Sequence, residues 1–296
     1  MFKSGFVTII GKPNTGKSTL LNKIIGEKVS IVSPKPQTTR NNITGILNND
    51  NYQVVFLDTP GTLKPKNRLD EYMQKSINKS LEGIDIIVYM LDALKPFTDN
   101  ELALIEGYAK SDAKLIIAVN KTDQTNFEKL YPKLDKLNKL SNITDIIPMS
   151  AMKNKNVDVL KNSIVKLLNE GVKYYPDDIY TDNSVKFLVG EIIREKTLYY
   201  LQAEIPHGIA TDIERFEENE KNVQIDAVII CEKPSHKNII IGKEGSMLKT
   251  IGTSARLDIQ KLLNKKVHLN LFVKVKDKWR SSQAQINIYG YNKKEI

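Results

Sequence analysis

A chain of 296 residues, 41% hydrophobic and 27% charged, can bury a substantial core and reads as about two soluble globular domains rather than a disordered segment. The most continuous apolar run, Ile84–Leu91, contains Asp85 and is too short to span a bilayer. The N-terminus enters a strand with no signal-peptide core, and a lone Cys231 excludes an internal disulfide and fits a reducing, cytoplasmic setting. The net charge of +9 is unevenly spread: residues 233–280 hold 12 Lys/Arg against Glu244, Asp258 and Asp277, a density that suits a polyanion.

In chain order, strand-like runs at Phe6–Ile10, Val54–Leu57, Ile84–Leu91, Leu115–Val119 and Asp145–Pro148 alternate with helical stretches around 19–25, 68–82, 100–110, 126–139 and 155–169. That alternation predicts an α/β domain over residues 1–172, a mostly parallel sheet covered by helices. Ligands of such sheets bind at the carboxyl ends of strands, and four motifs sit there. Gly11-Lys12-Pro13-Asn14-Thr15-Gly16-Lys17-Ser18 lies between a strand and a helix that opens at Thr19, the context in which G-x-x-x-x-G-K-[ST] cradles a polyphosphate. Lys17 is expected to reach the β- and γ-phosphates, and the Ser18 hydroxyl a magnesium ion.

Asp58-Thr59-Pro60-Gly61 supplies an acid for hydrated magnesium and a glycine N–H for a γ-phosphate. In Asn120-Lys121-Thr122-Asp123 the Asp123 carboxylate can accept from two adjacent donors, which guanine offers and adenine does not. Asn120 is expected to tie this segment to the phosphate loop, and Lys121 to lie under the purine. A backbone N–H of Ser150-Ala151 is a candidate partner for guanine O6. Between the first two motifs, Ser33–Arg40 lacks periodicity and reads as a mobile loop, with either Thr38 or Thr39 available to magnesium.

In this order the motifs over residues 1–172 resemble a translation-factor-like GTPase, and Pro13-Asn14 with Gly16-Lys17-Ser18-Thr19-Leu20-Leu21-Asn22 resembles its Era-type branch. Gln37-Thr38-Thr39-Arg40 is similar to the first switch of that branch, and Thr62–Leu69 to the second. Thr62 stands where many GTPases carry a water-orienting glutamine and where Era-type relatives usually carry a bulky apolar residue. Slow hydrolysis is therefore expected, with Lys17, Asn14, Gly61 and Thr62 as the candidate catalytic positions. The resemblance also makes Asn14 a candidate potassium ligand.

Residues 173–183, with Pro176, read as a linker. From 184 to 296 the pattern α-β-β-α-α-β, with Gly242-Lys243-Glu244-Gly245 between two helices, resembles a type II KH domain with a C-terminal tail. Two glycines let the loop backbone approach a single-stranded phosphate chain while apolar neighbours meet bases. The candidate RNA-binding residues are Ile239, Ile240, Ile241, Gly242, Lys243, Glu244, Gly245, Ser246, Lys249 and Arg256. A carboxylate at Glu244 would repel phosphate unless it faces solvent. His207, His236 and His268 lack metal-ligand spacing.

The Era resemblance implies a monomeric, magnesium-dependent GTP/GDP switch that binds small-subunit rRNA near its 3′ end. It further implies a role in 30S ribosomal subunit assembly and some peripheral contact with the inner face of the cell membrane. Two alternatives stand beside it. A constitutive RNA-binding protein with a structural nucleotide domain is one. The other is a tRNA-modification GTPase, for which a large helical domain and a C-terminal cysteine would be expected.

Overall fold

The computed structural model describes residues 1–62 and 65–291. Leu63 and Lys64 of the second switch-like stretch, and Asn292–Ile296 of the tail, lie outside the described residues. The described residues within Met1–Ser30, Thr39–Leu63 and Met73–Asp182 form one compact unit. Those within Ile31–Thr38, Lys64–Tyr72 and Asn183–Ile296 form a second.

The first unit is organised on β1 (Lys3–Gly11), which runs parallel to β3 (Tyr52–Asp58) on one side and β4 (Ile86–Asp92) on the other. With β2 (Ile43–Asn49), β5 (Lys114–Asn120) and β6 (Asp145–Pro148), the sheet order is β2-β3-β1-β4-β5-β6. Every residue of β4 is buried, as an apolar strand covered on both faces requires. Helices α2 (Arg68–Lys79), α3 (Asp99–Tyr108) and α4 (Phe127–Asn138) send Ile77, Ile105, Leu130 and Leu137 into a core with Ile87, Tyr89, Leu115 and Ile117. Helix α1 (Lys17–Ile25) packs against α5 (Val157–Leu167).

Register gathers the motifs at one sheet edge. Ile9 lies beside Asp58, Gly11 beside Met90, Asp92 beside Asn120 and Val119 beside Pro148. The chain leaves β1 where its two parallel neighbours diverge in connection, the place at which α/β sheets bind ligands.

Two strands go beyond the sequence expectation. β2 pairs antiparallel with β3, and β7 (Asn169–Glu170) with β1. Ile43-Thr44-Gly45-Ile46-Leu47-Asn48-Asn49 is too mixed to stand out as an apolar run. The segment read as a linker is held along these strands: Ile46 N–H donates to Tyr180 O at 2.8 Å, Gln53 Nε2 to Tyr175 O at 2.7 Å, and Tyr174 N–H to Gln53 Oε1 at 2.7 Å.

The second unit follows the expected order. It contains α6 (Val185–Tyr200), β8 (Ala210–Glu218), β9 (Asn222–Cys231), α7 (Pro234–Ile241), α8 (Ser246–Leu263) and β10 (Lys266–Val275). β9 pairs antiparallel with β8 and parallel with β10, giving a three-stranded sheet. Val189, Ile193, Ile225, Ile229, Ile251 and Ile259 fill its core.

After β10, Trp279 is fully buried, donates Nε1–H to Gly208 O at 2.9 Å and stacks with Tyr291 at 6.0 Å. The short α9 (Gln283–Ile288) was not anticipated. Arg194, 1% exposed, holds the Glu191 carboxylate through Nε at 2.7 Å and Nη2 at 2.6 Å, and also donates to the Thr38 carbonyl. Glu195 Oε1 accepts from Val32 N–H at 2.9 Å, and Gln37 Nε2 donates to Asp70 Oδ1 at 2.9 Å. The 31–38 segment is thus bonded into the second unit through α6.

Candidate functional site

The phosphate-type loop is closed by groups that tolerate no side chain at two positions. Gly16 has φ +104°, and a Cβ there would lie 2.3 Å from Asn120 Nδ2. A Cβ on Gly61 would meet the Pro13 backbone at 2.8 Å, so the Asp58–Gly61 motif abuts the loop. Thr62 N–H donates to Gly11 O at 3.3 Å. Asn14 is exposed with φ 63°, at the outer turn of the loop. Thr15 Oγ1 donates to Lys12 O at 2.9 Å, and Lys12 Nζ pairs with the buried Glu101 at 2.8 Å. Lys17 is 6% exposed, and its Nζ donates to the carbonyls of Gly11 and Lys12, both at 3.1 Å. Burial lowers its pKa to about 8, against the attraction of Asp58.

Asp58 is fully buried at the end of β3. Its Oδ2 accepts from Ser18 Oγ at 2.6 Å, Ser30 Oγ at 2.9 Å and Thr39 Oγ1 at 3.4 Å, while its Oδ1 has no hydrogen-bond partner among the described residues. Burial pushes its pKa up, opposed by Lys17 and then by the hydroxyls of Ser18, Ser30 and Thr39. A buried carboxylate oxygen left unpaired, with two further hydroxyls at hand, is a donor set suited to a hard cation such as magnesium.

Thr38 and Thr39 place their hydroxyls differently. Thr39 Oγ1 lies 2.9 Å from Ser18 Oγ, whereas Thr38 Oγ1 turns back to Lys35 O at 2.7 Å. Of the two, Thr39 is the one that lies beside Ser18 and Asp58.

Asn120 links two loops, donating to Thr15 O at 2.7 Å and accepting from Ala151 N–H at 2.9 Å. Lys121, at φ 67°, pairs with Asp92 at 2.7 Å. The turn carrying Asp123 is anchored by Thr122, whose N–H and hydroxyl both donate to Met149 O. Asp123 is exposed, and the Ser150 hydroxyl is the largest influence holding its carboxyl below the usual range. The Ser150 N–H donates to Lys155 O and the Ala151 N–H to Asn120, so both backbone donors assigned to guanine O6 are already engaged. Thr59 is buried, its hydroxyl on Ile9 O at 2.9 Å, which makes it a brace for the motif that carries Pro60.

In the second unit, α7 ends at Gly242 (φ +74°) and α8 begins at Ser246 after Gly245. Lys243, Glu244 and Lys249 are exposed, so the Glu244 carboxylate faces solvent. Ile239 is 51% exposed, but Ile240 is fully buried in the core and Ile241 packs against it. Ile240 is therefore a core residue and drops out of the candidate RNA surface, because a helix cannot turn two adjacent side chains the same way.

A groove of about 450 Å³ runs beside this loop, lined among others by Lys249, Arg256, Leu269, Asn270, Leu271 and Phe272. Its β10 wall was missed. The available signal was Phe272, an aromatic 51% exposed on the strand face that otherwise carries Lys266, His268, Asn270 and Lys274. Among the described residues no His/Cys/Asp/Glu cluster suited to a metal occurs, and no helix is long and apolar enough to cross a membrane.

Residues 6–121 match the family model described as "50S ribosome-binding GTPase", and residues 204–280 match the KH domain model. GTPase Era of Clostridium kluyveri is 49% identical over 98% of this chain and 100% of its own. GTPase Era of Clostridium botulinum (strain Kyoto / Type A2) is 48% identical over 99% of both. Among solved structures, Era in complex with MgGDPNP and nucleotides 1506–1542 of 16S ribosomal RNA superposes with a TM-score of 0.94 at 37% identity, covering 98% of this chain and 99% of that one. A variant of Aquifex aeolicus Era bound to GDP·AlF4− matches with the same TM-score, identity and coverage. With a guanine-type nucleotide site in one unit, a KH fold in the other and relatives aligned over both, the chain belongs to the Era family of GTPases.

Proposed function

We propose that this GTPase is a nucleotide-driven switch that binds small-subunit rRNA near its 3′ end during 30S subunit assembly. The observation that carries the reading is the full-length likeness to an Era captured with MgGDPNP and a 16S rRNA fragment, spanning both units of this chain. The exposed Lys243 and Lys249 beside the groove, with Arg256 and Phe272 lining it, suit a phosphate chain on one side and stacked bases on the other.

In the nucleotide site, loop N–H groups from Asn14 to Thr19 and the Lys17 ammonium would hold the β- and γ-phosphates, and Asp123 the guanine edge. Ser18, Thr39 and Asp58 would hold magnesium, which when bound neutralises charge developing on the phosphates. Gly61 N–H would meet the γ-phosphate, with Thr62 beside it offering no base, so turnover is slow. Asn14, exposed in the loop, would help hold a potassium ion that adds positive charge. Basic residues would support weak attachment to an anionic membrane surface.

The test is affinity for a single-stranded oligonucleotide of the rRNA 3′ end, measured with GDP and with a non-hydrolysable GTP analogue, alongside turnover in potassium and in sodium. Tighter RNA binding in the GTP-like state and faster turnover in potassium are expected. RNA affinity blind to nucleotide would favour the constitutive binder, and equal rates in both salts would remove Asn14 from ion binding. Lys17→Ala is the control that abolishes the nucleotide response.

The lowered Lys17 pKa has a measurable consequence. Phosphate binding restores the ammonium, so nucleotide binding takes up a proton between the free-state value of about 8 and the ordinary 10.5. Uptake should be largest between those two values and fade below them, and affinity from this group declines as pH rises through the window. Calorimetry in buffers of different ionisation enthalpy reads this directly; no uptake at pH 9 would mean the free lysine is already charged.

A further inference from the structure

Asp58 is held by three hydroxyls, and one of them belongs to none of the motifs. Ser30, 3% exposed, donates its Oγ–H to Asp58 Oδ2 at 2.9 Å. Its backbone is fixed at both ends by a single side chain: Asn22 Nδ2 donates to Ser30 O at 2.7 Å, and Asn22 Oδ1 accepts from Ser30 N–H at 2.9 Å and from Val29 N–H at 3.0 Å.

Asn22 lies on α1 four residues after Ser18, a spacing that puts both side chains on one helix face. The helix that carries the phosphate loop thus grips the carboxylate twice, directly through Ser18 and indirectly through Asn22 and Ser30. All these bonds fall on Oδ2, and the buried Oδ1 keeps its lone pairs.

We propose that Ser30, fixed by Asn22, is a positioning residue for the magnesium site. Its hydroxyl holds the Asp58 carboxylate in one orientation, so that the carboxylate stays available to the hydrated ion. Ser18 and Thr39 would turn their own oxygens to magnesium; Ser30 acts only through Asp58. This rests on the assignment of Asp58 to the metal.

The experiment follows release of a fluorescent (methylanthraniloyl) GDP as free magnesium is varied. Ser30→Ala should raise the magnesium concentration that half-maximally slows release by about tenfold, the scale of one hydrogen bond to a charged group, without changing the rate in EDTA. Asn22→Ala should move the same way, and Ser30→Thr, which keeps the hydroxyl, should restore most of the wild-type response. Circular dichroism melts establish that each variant is folded. A wild-type magnesium dependence in Ser30→Ala, or equal acceleration with and without magnesium, would overturn the role. Wild-type release indifferent to magnesium would overturn the metal assignment itself, a distinct failure.

Discussion

Asp123→Asn should lower affinity for GTP by roughly a thousandfold while conferring binding of xanthosine triphosphate. Guanine presents N1–H and N2–H side by side, and an ionised Asp123 would accept both. The structure holds that carboxyl below the usual range, chiefly through the Ser150 hydroxyl, so the acceptor is ionised at neutral pH. Asparagine offers one acceptor and one donor, and its amide would face the guanine amine donor to donor. Xanthine replaces that amine by a carbonyl, which restores a matched pair. The turn itself survives, because Thr122 anchors it on Met149 O and Asn120 ties it to Thr15 and Ala151. Fluorescence titration with both labelled nucleotides measures the exchange. An Asp123→Asn protein that keeps wild-type GTP affinity would remove Asp123 from base recognition.

The second large effect is expected at Arg194. This guanidinium is 1% exposed, binds both oxygens of Glu191 and donates to the Thr38 carbonyl. Arg194→Ala leaves a largely buried carboxylate, 16% exposed, without its cation and a loop carbonyl without its donor. Breaking a buried pair from one side costs about 3–5 kcal/mol; residual solvent at Glu191 places this case near 3 kcal/mol, or roughly 10 °C in the melting of the second unit. The double variant Arg194→Met, Glu191→Gln removes both charges and should recover more than half of the loss. Thermal melts of wild type, Arg194→Met, Glu191→Gln and the double variant, with hydrogen exchange at residues 31–38 in Arg194→Ala, check both parts. Additive losses would show that the pair is not coupled, and unchanged exchange would show that Arg194 does not hold the loop.

The nucleotide site was legible because its chemistry is local. A phosphate loop needs its glycines, lysine and hydroxyl within eight consecutive residues, since backbone N–H groups and one helix N-terminus form the cradle. Asp58–Gly61 and Asn120–Asp123 are likewise contiguous, and apolar strands before them announced their places at the sheet edge. The KH-like order could be read from periodicity and the two glycines for the same reason.

What escaped the sequence depends on directions and partners that strand pairing and helix docking create. Asp92 and Glu101 meet Lys121 and Lys12 across 29 and 89 residues, and Arg194 meets Thr38 across 156. Thr38 and Thr39 are chemically alike, and only the backbone path turns Thr39 towards Ser18. Ile239 and Ile240 look interchangeable in a run of three isoleucines, yet docking of α7 exposes the first and buries the second. The sequence alone determined that this chain carries a guanine-nucleotide loop and a basic G-x-x-G module, because each is built from neighbours along the chain. Tertiary structure decided which hydroxyls, carboxylates and apolar side chains surround them, because those contacts exist only once distant segments are packed together.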